Sequence, residues 1–358
     1  MNTFQHGGGV ARASRRLGLD ASAILDFSAS INPLGMPEAV LEAARGSLTQ
    51  AVHYPEIDGA SLRGALADFH GISPDHILPG SGSTELIYLL PRVLRPRRAL
   101  LVTPAFSEYE RSLKQGETAV DYFPLRPEDG FRLDPARLLG RLEADTELVV
   151  LANPGNPTGA TIEPAALEAI ADGLANRGVL LVDEAFIDFD PQLSVIDRVP
   201  SHSNLYVLRS LTKFYAIPGL RAGYLAGPAR GVARLAAARP PWSLSSPALA
   251  AALAALGEEG YRQQTLALIP ELRRQLSDGL ESLGLTVFPG AANYLLAQIP
   301  LGMRDAASLA ARLEEQGVLI RCCANFPPLD ERYIRLAVRS EFENRRLLVL
   351  LDDALHGH

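Results

Sequence analysis

The sequence predicts an α/β fold, with a mostly parallel central sheet flanked by helices and a smaller α+β C-terminal domain after it. Between Ala99 and Leu225, short apolar runs alternate with amphipathic helical stretches, the pattern of parallel strands joined by crossover helices. Asn156, Asp183 and Lys213 fall at or just after the ends of predicted strands, where sheets of this kind bind their ligands. After residue 230 the alternation gives way to long helices and then to short strands.

Residues 1–35 read as an N-terminal arm. His6-Gly7-Gly8-Gly9 is a turn that a ligand can approach closely. Val10 to Leu17 is a short amphipathic helix ending at Gly18, and Ile24 to Phe27 a short apolar run; Ser28 to Gly35 is irregular. Residues 36–230 form the large domain. Pro37 to Leu48 is a helix with proline near its start. His53-Tyr54-Pro55-Glu56 is a loop, and Ser61 to His70 a helix. Gly80-Ser81-Gly82-Ser83-Thr84-Glu85 then opens the apolar run Leu86 to Leu90. Glycines and hydroxyls at a helix start leave backbone N–H groups pointing outward, a natural anion site, although many helices begin this way and bind nothing.

The alternation follows. Strands are expected at Ala99 to Val102, Ala119 to Phe123, Glu147 to Ala152, Val179 to Val182, Leu205 to Leu208 and Ala222 to Leu225. Helices are expected at Ser107 to Gln115, Pro135 to Glu143 and Pro164 to Arg177. In the small domain, residues 231–358, Gly231 to Arg239 and Ala248 to Gly257 are helical. Tyr261 to Leu283 is a long helix that bridges the domains, with Pro270 as a point of bending. Strands follow at Leu285 to Phe288, Tyr294 to Gln298, Val318 to Arg321 and Tyr333 to Val338, with helices at Ala306 to Glu315 and Glu341 to Leu355.

Composition narrows the function. At 358 residues and 47% hydrophobic content the chain can bury a sizeable core in one large or two medium domains. A net charge of -7 argues against a nucleic-acid or anionic-membrane partner. No apolar run reaches the ~20 residues of a membrane span. Met1 to Gly9 lacks the basic and apolar regions of a secretory signal. Cys322 and Cys323 are the only cysteines, adjacent and too few for a metal framework, so no metal site is expected and a reducing cytoplasm fits.

The chemistry centres on Lys213, in Ser210-Leu211-Thr212-Lys213, with Arg221 eight residues on. An amine at the end of a buried strand loses its proton readily and can attack a carbonyl. Hydroxyls and a guanidinium beside it suit a phosphate. An aldehyde that also carries a phosphate is pyridoxal 5'-phosphate. Each remaining residue has a task such a cofactor requires. Lys213 would hold it through an imine. Asp183 could pair with the pyridine nitrogen and keep the ring an electron sink; an isolated aspartate would more simply be a cap or turn residue. Asn156 could donate to the phenolic oxygen. Ser83, Thr84, Ser210, Thr212 and Arg221 would take the phosphate. Tyr109 could lie flat on the ring, or merely pack within its helix. Asn156 to Asp183 and Asp183 to Lys213 are each roughly 30 residues apart, about one βαβ unit.

With that order in place, the sequence resembles fold-type I PLP-dependent enzymes of the aspartate-aminotransferase superfamily. The segments that carry the resemblance are Asn153-Pro154-Gly155-Asn156-Pro157-Thr158-Gly159, Asp183-Glu184-Ala185 and Ser210-Leu211-Thr212-Lys213 with Arg221. It covers essentially the whole chain, and the nearest branches are the histidinol-phosphate aminotransferases and the L-threonine-O-3-phosphate decarboxylases of cobalamin synthesis. His6-Gly7-Gly8, Leu25-Asp26-Phe27-Ser28, Ile31-Asn32-Pro33-Leu34-Gly35 and the run from Ile320-Arg321-Cys322 to Arg339 are similar to the decarboxylase branch. Phe186 stands where the aminotransferase branch usually has a tyrosine that bonds the cofactor. The resemblance implies that Arg335 pairs with the substrate α-carboxylate, and that Arg321 and His6, with Gly7 and the arm around Asn32, hold a substrate phosphate. It implies that Tyr54 reaches the cofactor phosphate of a neighbouring subunit, hence a homodimer with shared sites. The implied reaction is decarboxylation of threonine phosphate, with Lys213 protonating the α-carbon; the alternative is an aminotransferase acting on a phosphorylated amine.

Overall fold

The computed structural model describes residues 6–356. Its centre is a seven-stranded sheet. In spatial order the strands are Ile77–Gly80, Gly223–Ala226, Leu205–Ser210, Val179–Asp183, Thr146–Ala152, Arg98–Thr103 and Ala119–Pro124. Gly223–Ala226 runs against both of its neighbours, and every other pair is parallel. Side chains alternate across the sheet: Val149 and Leu151 enter the core on one face, Leu148 and Val150 the core on the other. Both faces are therefore covered, which is why these strands read as continuous apolar runs.

Ile77–Gly80 was not expected as a strand, and Pro79 lies within it. It is an edge strand, where a missing N–H costs little. The helices Ser83–Leu94, Ser107–Gln115 and Pro164–Gly173 fall where the periodicity places them.

A second sheet of four strands, in the order Arg321–Cys322, Tyr333–Ala337, Tyr294–Gln298 and Thr286–Phe288, is antiparallel throughout. The single strand expected over Val318 to Arg321 is two pieces. Val318–Leu319 pairs in parallel with Leu25–Asp26 of the arm, and Arg321–Cys322 pairs with Tyr333–Ala337. The chain changes partner at Ile320, a switch that an unbroken apolar run does not signal. The arm is stitched onward by Phe27, whose N–H donates to the Leu319 carbonyl at 2.8 Å and whose carbonyl accepts from Ala337 N–H at 2.9 Å.

The helix Glu259–Ser282 continues through Pro270. Tyr261 donates to the carbonyls of Gly35 and Phe214, so this helix ties the arm to the Lys213 segment. Residue 230 falls inside the helix Ala229–Ala238, which packs on Ser83–Leu94 and Ile77–Gly80; Ser246–Leu256 packs on Glu38–Ser47 and Ala60–His70. The chain passes to the smaller sheet along Glu259–Ser282. Among the described residues no helix is long and apolar enough to cross a membrane.

Candidate active site

A cavity of about 370 Å³ opens beyond the carboxyl ends of the parallel strands, the position the topology requires. Asp183 closes the strand Val179–Asp183 and is 5% exposed. Its Oδ2 accepts from the Tyr109 hydroxyl at 2.5 Å and its Oδ1 from Ala185 N–H at 2.9 Å. Burial pushes the Asp183 pKa up, against the pull of the Tyr109 hydroxyl, the Lys213 charge and the Ala185 N–H. Tyr109 was expected to lie flat on a bound ring; here its hydroxyl is spent on Asp183 and its own pKa is driven well above the usual range, chiefly by burial.

Lys213 sits on the short turn Leu211–Phe214, directly after the strand Leu205–Ser210. Its Nζ donates to Ser210 Oγ at 3.1 Å and stands 5.6 Å from the centre of the Phe186 ring. Burial lowers its pKa to about 8; Asp183 opposes that shift, and Arg221 and Arg335 add to it. Ser210 and Thr212, expected at a phosphate, are buried and bond each other at 2.8 Å. They lie behind Lys213, outside the residues that line the cavity.

Ser83 and Thr84 open the helix Ser83–Leu94 into the same cavity, facing Arg221. Arg221 takes a left-handed backbone (φ 59°) that turns its side chain back across Gly82. A Cβ on Gly82 would stand 2.6 Å from Arg221 Nη2, so only glycine lets guanidinium and helix start converge. The convergence is an anion cradle.

The rim comes from the arm and the smaller sheet. Arg321 and Arg335 are cross-strand partners, 8% and 7% exposed. Among the described residues neither meets a carboxylate: Arg321 donates to Asn325 Oδ1 at 2.8 Å, and Arg335 donates to Asn156 Oδ1 at 2.5 Å and to the Ser28 carbonyl at 2.9 Å. The buried Nε of Arg335 has no partner. Burial first, and then the Arg335 charge, depress the Arg321 pKa. Like charges set opposite one another destabilise a strand pair, so the arrangement calls for an anion from outside.

His6 lines the cavity beside Phe106 and places its Nε2 3.0 Å from Glu108 Oε1. Gly7 lies against the turn at Ser28, where a Cβ would come within 2.1 Å of the Ser28 carbonyl oxygen. Asn32 is a correction. Its amide donates to the Phe214 carbonyl and to Thr265 Oγ1, its Oδ1 accepts from Leu34 N–H, and its own N–H donates to the Lys213 carbonyl. It braces the lysine turn from behind and does not face the cavity. Tyr54 is 82% exposed, packed on Trp242 at 4.8 Å and not among the residues that line its own chain's cavity. Sequence reasoning missed Glu108 and the Ser28 carbonyl. A single glutamate in a helix's first turn, and a backbone oxygen, give no signal until the fold buries them.

The cradle fits a phosphorylated aldehyde cofactor: an amine with a lowered pKa, a buried carboxylate across from it, and a helix start with a guanidinium beside it.

The family model for aminotransferase class I and II matches residues 22–351. The threonine-phosphate decarboxylase of Salmonella typhimurium is 42% identical, over 98% of this chain and 97% of its own length. A histidinol-phosphate aminotransferase of Methanothermobacter thermautotrophicus is 32% identical, over 94% of this chain and 90% of its own. Among solved structures, the L-threonine-O-3-phosphate decarboxylase of Porphyromonas gingivalis superposes with a TM-score of 0.81 at 26% identity, covering 92% of this chain and 98% of that one. The histidinol-phosphate aminotransferase of Clostridium acetobutylicum does so with a TM-score of 0.86 at 27% identity, covering 94% of this chain and all of that one. The strand order, the lysine at the strand end and these matches have one common reading: the chain belongs to the class I and II aminotransferase family.

Proposed function

We propose that this chain is a pyridoxal-phosphate enzyme that decarboxylates L-threonine O-3-phosphate to (R)-1-aminopropan-2-ol O-phosphate, a step of cobalamin biosynthesis. The observation that carries this reading is the pair Arg321 and Arg335, buried, facing each other with no carboxylate among the described residues, and lining one cavity with Lys213 and His6. A substrate with one carboxylate and one phosphate supplies the two anions this rim lacks. The 42% identity to a threonine-phosphate decarboxylase supports the same substrate.

Lys213 would hold the cofactor, Asp183 would pair with its ring nitrogen, and Asn156 would present its amide to the phenolic oxygen. Ser83, Thr84 and Arg221 would take its phosphate. When bound, pyridoxal phosphate supplies a protonated ring that accepts the electron pair left on the α-carbon as the carboxylate departs as carbon dioxide. Arg335, fixed by Asn156 and Ser28, orients that carboxylate. An arginine there stabilises the bound substrate as well, so it speeds the loss only through orientation. Lys213 then delivers a proton to the α-carbon. Arg321 and His6 hold the substrate phosphate.

Aminotransfer on a phosphorylated amine is the second reading, and the 32% identity to a histidinol-phosphate aminotransferase favours it. Phe186 weighs against it. Its ring packs edge-on against Tyr294 at 4.9 Å and has no hydroxyl to offer a cofactor. We place the enzyme in the cytoplasm as a homodimer, with the exposed Tyr54 reaching the partner's site. Purified protein given pyridoxal phosphate and L-threonine phosphate should release carbon dioxide with no keto acid present. Turnover that depends on 2-oxoglutarate would overturn the decarboxylase reading.

A further inference from the structure

Glu108 lies in the first turn of the helix Ser107–Gln115 and is 6% exposed. A carboxylate there is favoured by the helix dipole, but burial demands partners as well. It has three. His6 Nε2 lies 3.0 Å from Oε1, the Tyr88 hydroxyl donates to Oε2, and Arg111 stands 3.5 Å from Oε1. Three elements meet at this one side chain. They are the arm, the helix that starts at Ser83 and Thr84, and the helix that carries Tyr109. Glu108 does not line the cavity, whereas His6, Phe106 and Tyr109 do. The proposed chemistry gives it no task.

We propose that Glu108 is a positioning residue that sets recognition of the substrate's phosphate group through His6, an inference that rests on the function proposed above. A carboxylate at Nε2 keeps a proton on that nitrogen and fixes the plane of the ring, as carboxylates do for histidines that bind metals. Anchored in this way, the His6 ring lines the cavity in one fixed orientation, with Glu108 on one side and the phosphate on the other. Tyr88 holds the second carboxylate oxygen and stops Glu108 from turning. Burial, then the bond to Glu108, raise the Tyr88 pKa to about 12, so it remains a donor at neutral pH. Gly7 and Gly8 close the arm behind His6, with Gly8 N–H donating to Ser28 Oγ at 2.9 Å. The substrate phosphate then meets two basic side chains, Arg321 from the smaller sheet and His6 from the arm. The α-carboxylate meets Arg335 alone, so the Glu108 effect is confined to phosphorylated ligands.

The test is a double-mutant cycle on the holoenzyme with Glu108→Gln, His6→Ala and both together. Glutamine keeps the shape of Glu108 and removes its charge, and His6→Ala alters only the arm. Dissociation constants are read from the change in cofactor absorbance with two probes. O-phosphoethanolamine has a phosphate and no carboxylate, and L-alanine has the reverse. Each single variant should weaken O-phosphoethanolamine about tenfold, the scale of one charge-assisted hydrogen bond. The double variant should be no weaker than either single one, and L-alanine should stay within about twofold of wild type. Wild-type affinity in Glu108→Gln, additive losses in the double variant, or equal losses for L-alanine would each overturn the assignment. The constants are read from the initial absorbance change, before any turnover of the probe, so they stand whichever reaction the enzyme performs. A keto-acid requirement would refute the reaction and leave this result untouched.

Discussion

Asp183 ends a strand of a sheet buried on both faces and Lys213 lies on the turn that follows another, whereas His6, Arg321 and Arg335 come from an arm and from a smaller antiparallel sheet. The two groups are held in different ways. Under the lysine floor, on the opposite face of the strand ends, Glu184 is fully buried and accepts from Arg209 at 2.9 Å, Ser194 at 2.6 Å and Val195 at 2.8 Å. Glu184 and Asp188 balance the Arg209 charge within the chain, although its Nε, like that of Arg335, has no partner among the described residues. At the rim two buried guanidiniums face each other, and among the described residues neither meets a carboxylate. The charges of the floor are balanced without ligand, while those of the rim are balanced by one. Changes to the floor should therefore act on the chemistry, and changes to the rim on binding.

The largest effect should come from removing the amine itself. Lys213→Ala should lower turnover by about 10³-fold or more, since it removes both the covalent anchor and the proton donor. Borohydride reduction should no longer fix the cofactor to the chain. An Ala variant that still carries covalent cofactor would displace Lys213 from the centre of the site. At the rim, Gly7→Ala puts a Cβ 2.1 Å from the Ser28 carbonyl oxygen, a contact that forces the arm off its seat. We expect KM for the phosphorylated substrate to rise about tenfold, with kcat within about threefold, because a displaced arm costs one charged contact and leaves the floor intact. Steady-state kinetics check this. A fall in kcat with KM unchanged would erase the distinction between the two regions.

The same distinction explains what could be read from the sequence. The floor was legible because strand periodicity and strand ends are local: the runs ending at Asp183 and Ser210, and the turn bearing Lys213, need no knowledge of distant partners. Arg321 was legible as the end of an apolar run, and both Arg321 and Arg335 through family resemblance. Their cross-strand pairing and their lack of carboxylates depend on a sheet assembled from segments far apart in the chain. Asn32 was misjudged for the same reason. It lies in an arm segment that points at the site, yet its amide is claimed by Phe214 and Thr265, both far along the sequence. Ser210 and Thr212 have the right chemistry for a phosphate, but they satisfy each other within the turn. Glu108 was invisible, because a glutamate in a helix's first turn is ordinarily solvated, and only the fold buries this one beneath His6.

The smallest effect is the one that separates floor from rim most sharply. An amine attacks an aldehyde only as the free base. Burial lowers the Lys213 pKa from 10.5 to about 8 by disfavouring the charged form. At pH 7 about a tenth of the chains then carry a neutral amine, where an ordinary lysine would be almost wholly protonated. Capture of pyridoxal phosphate by cofactor-free protein should speed up about tenfold from pH 7 to pH 9 and then level off, with a midpoint near 8. The two regions bias that midpoint in opposite senses. Asp183 is the negative charge that raises the lysine pKa, so Asp183→Asn should move the midpoint down. Arg335 is a positive charge that lowers it, so Arg335→Gln should move the midpoint up. Stopped-flow absorbance between pH 6 and 10 would resolve both shifts. Movement of the two variants in the same direction would mean that desolvation alone tunes the amine, and that floor and rim do not meet electrostatically at Lys213.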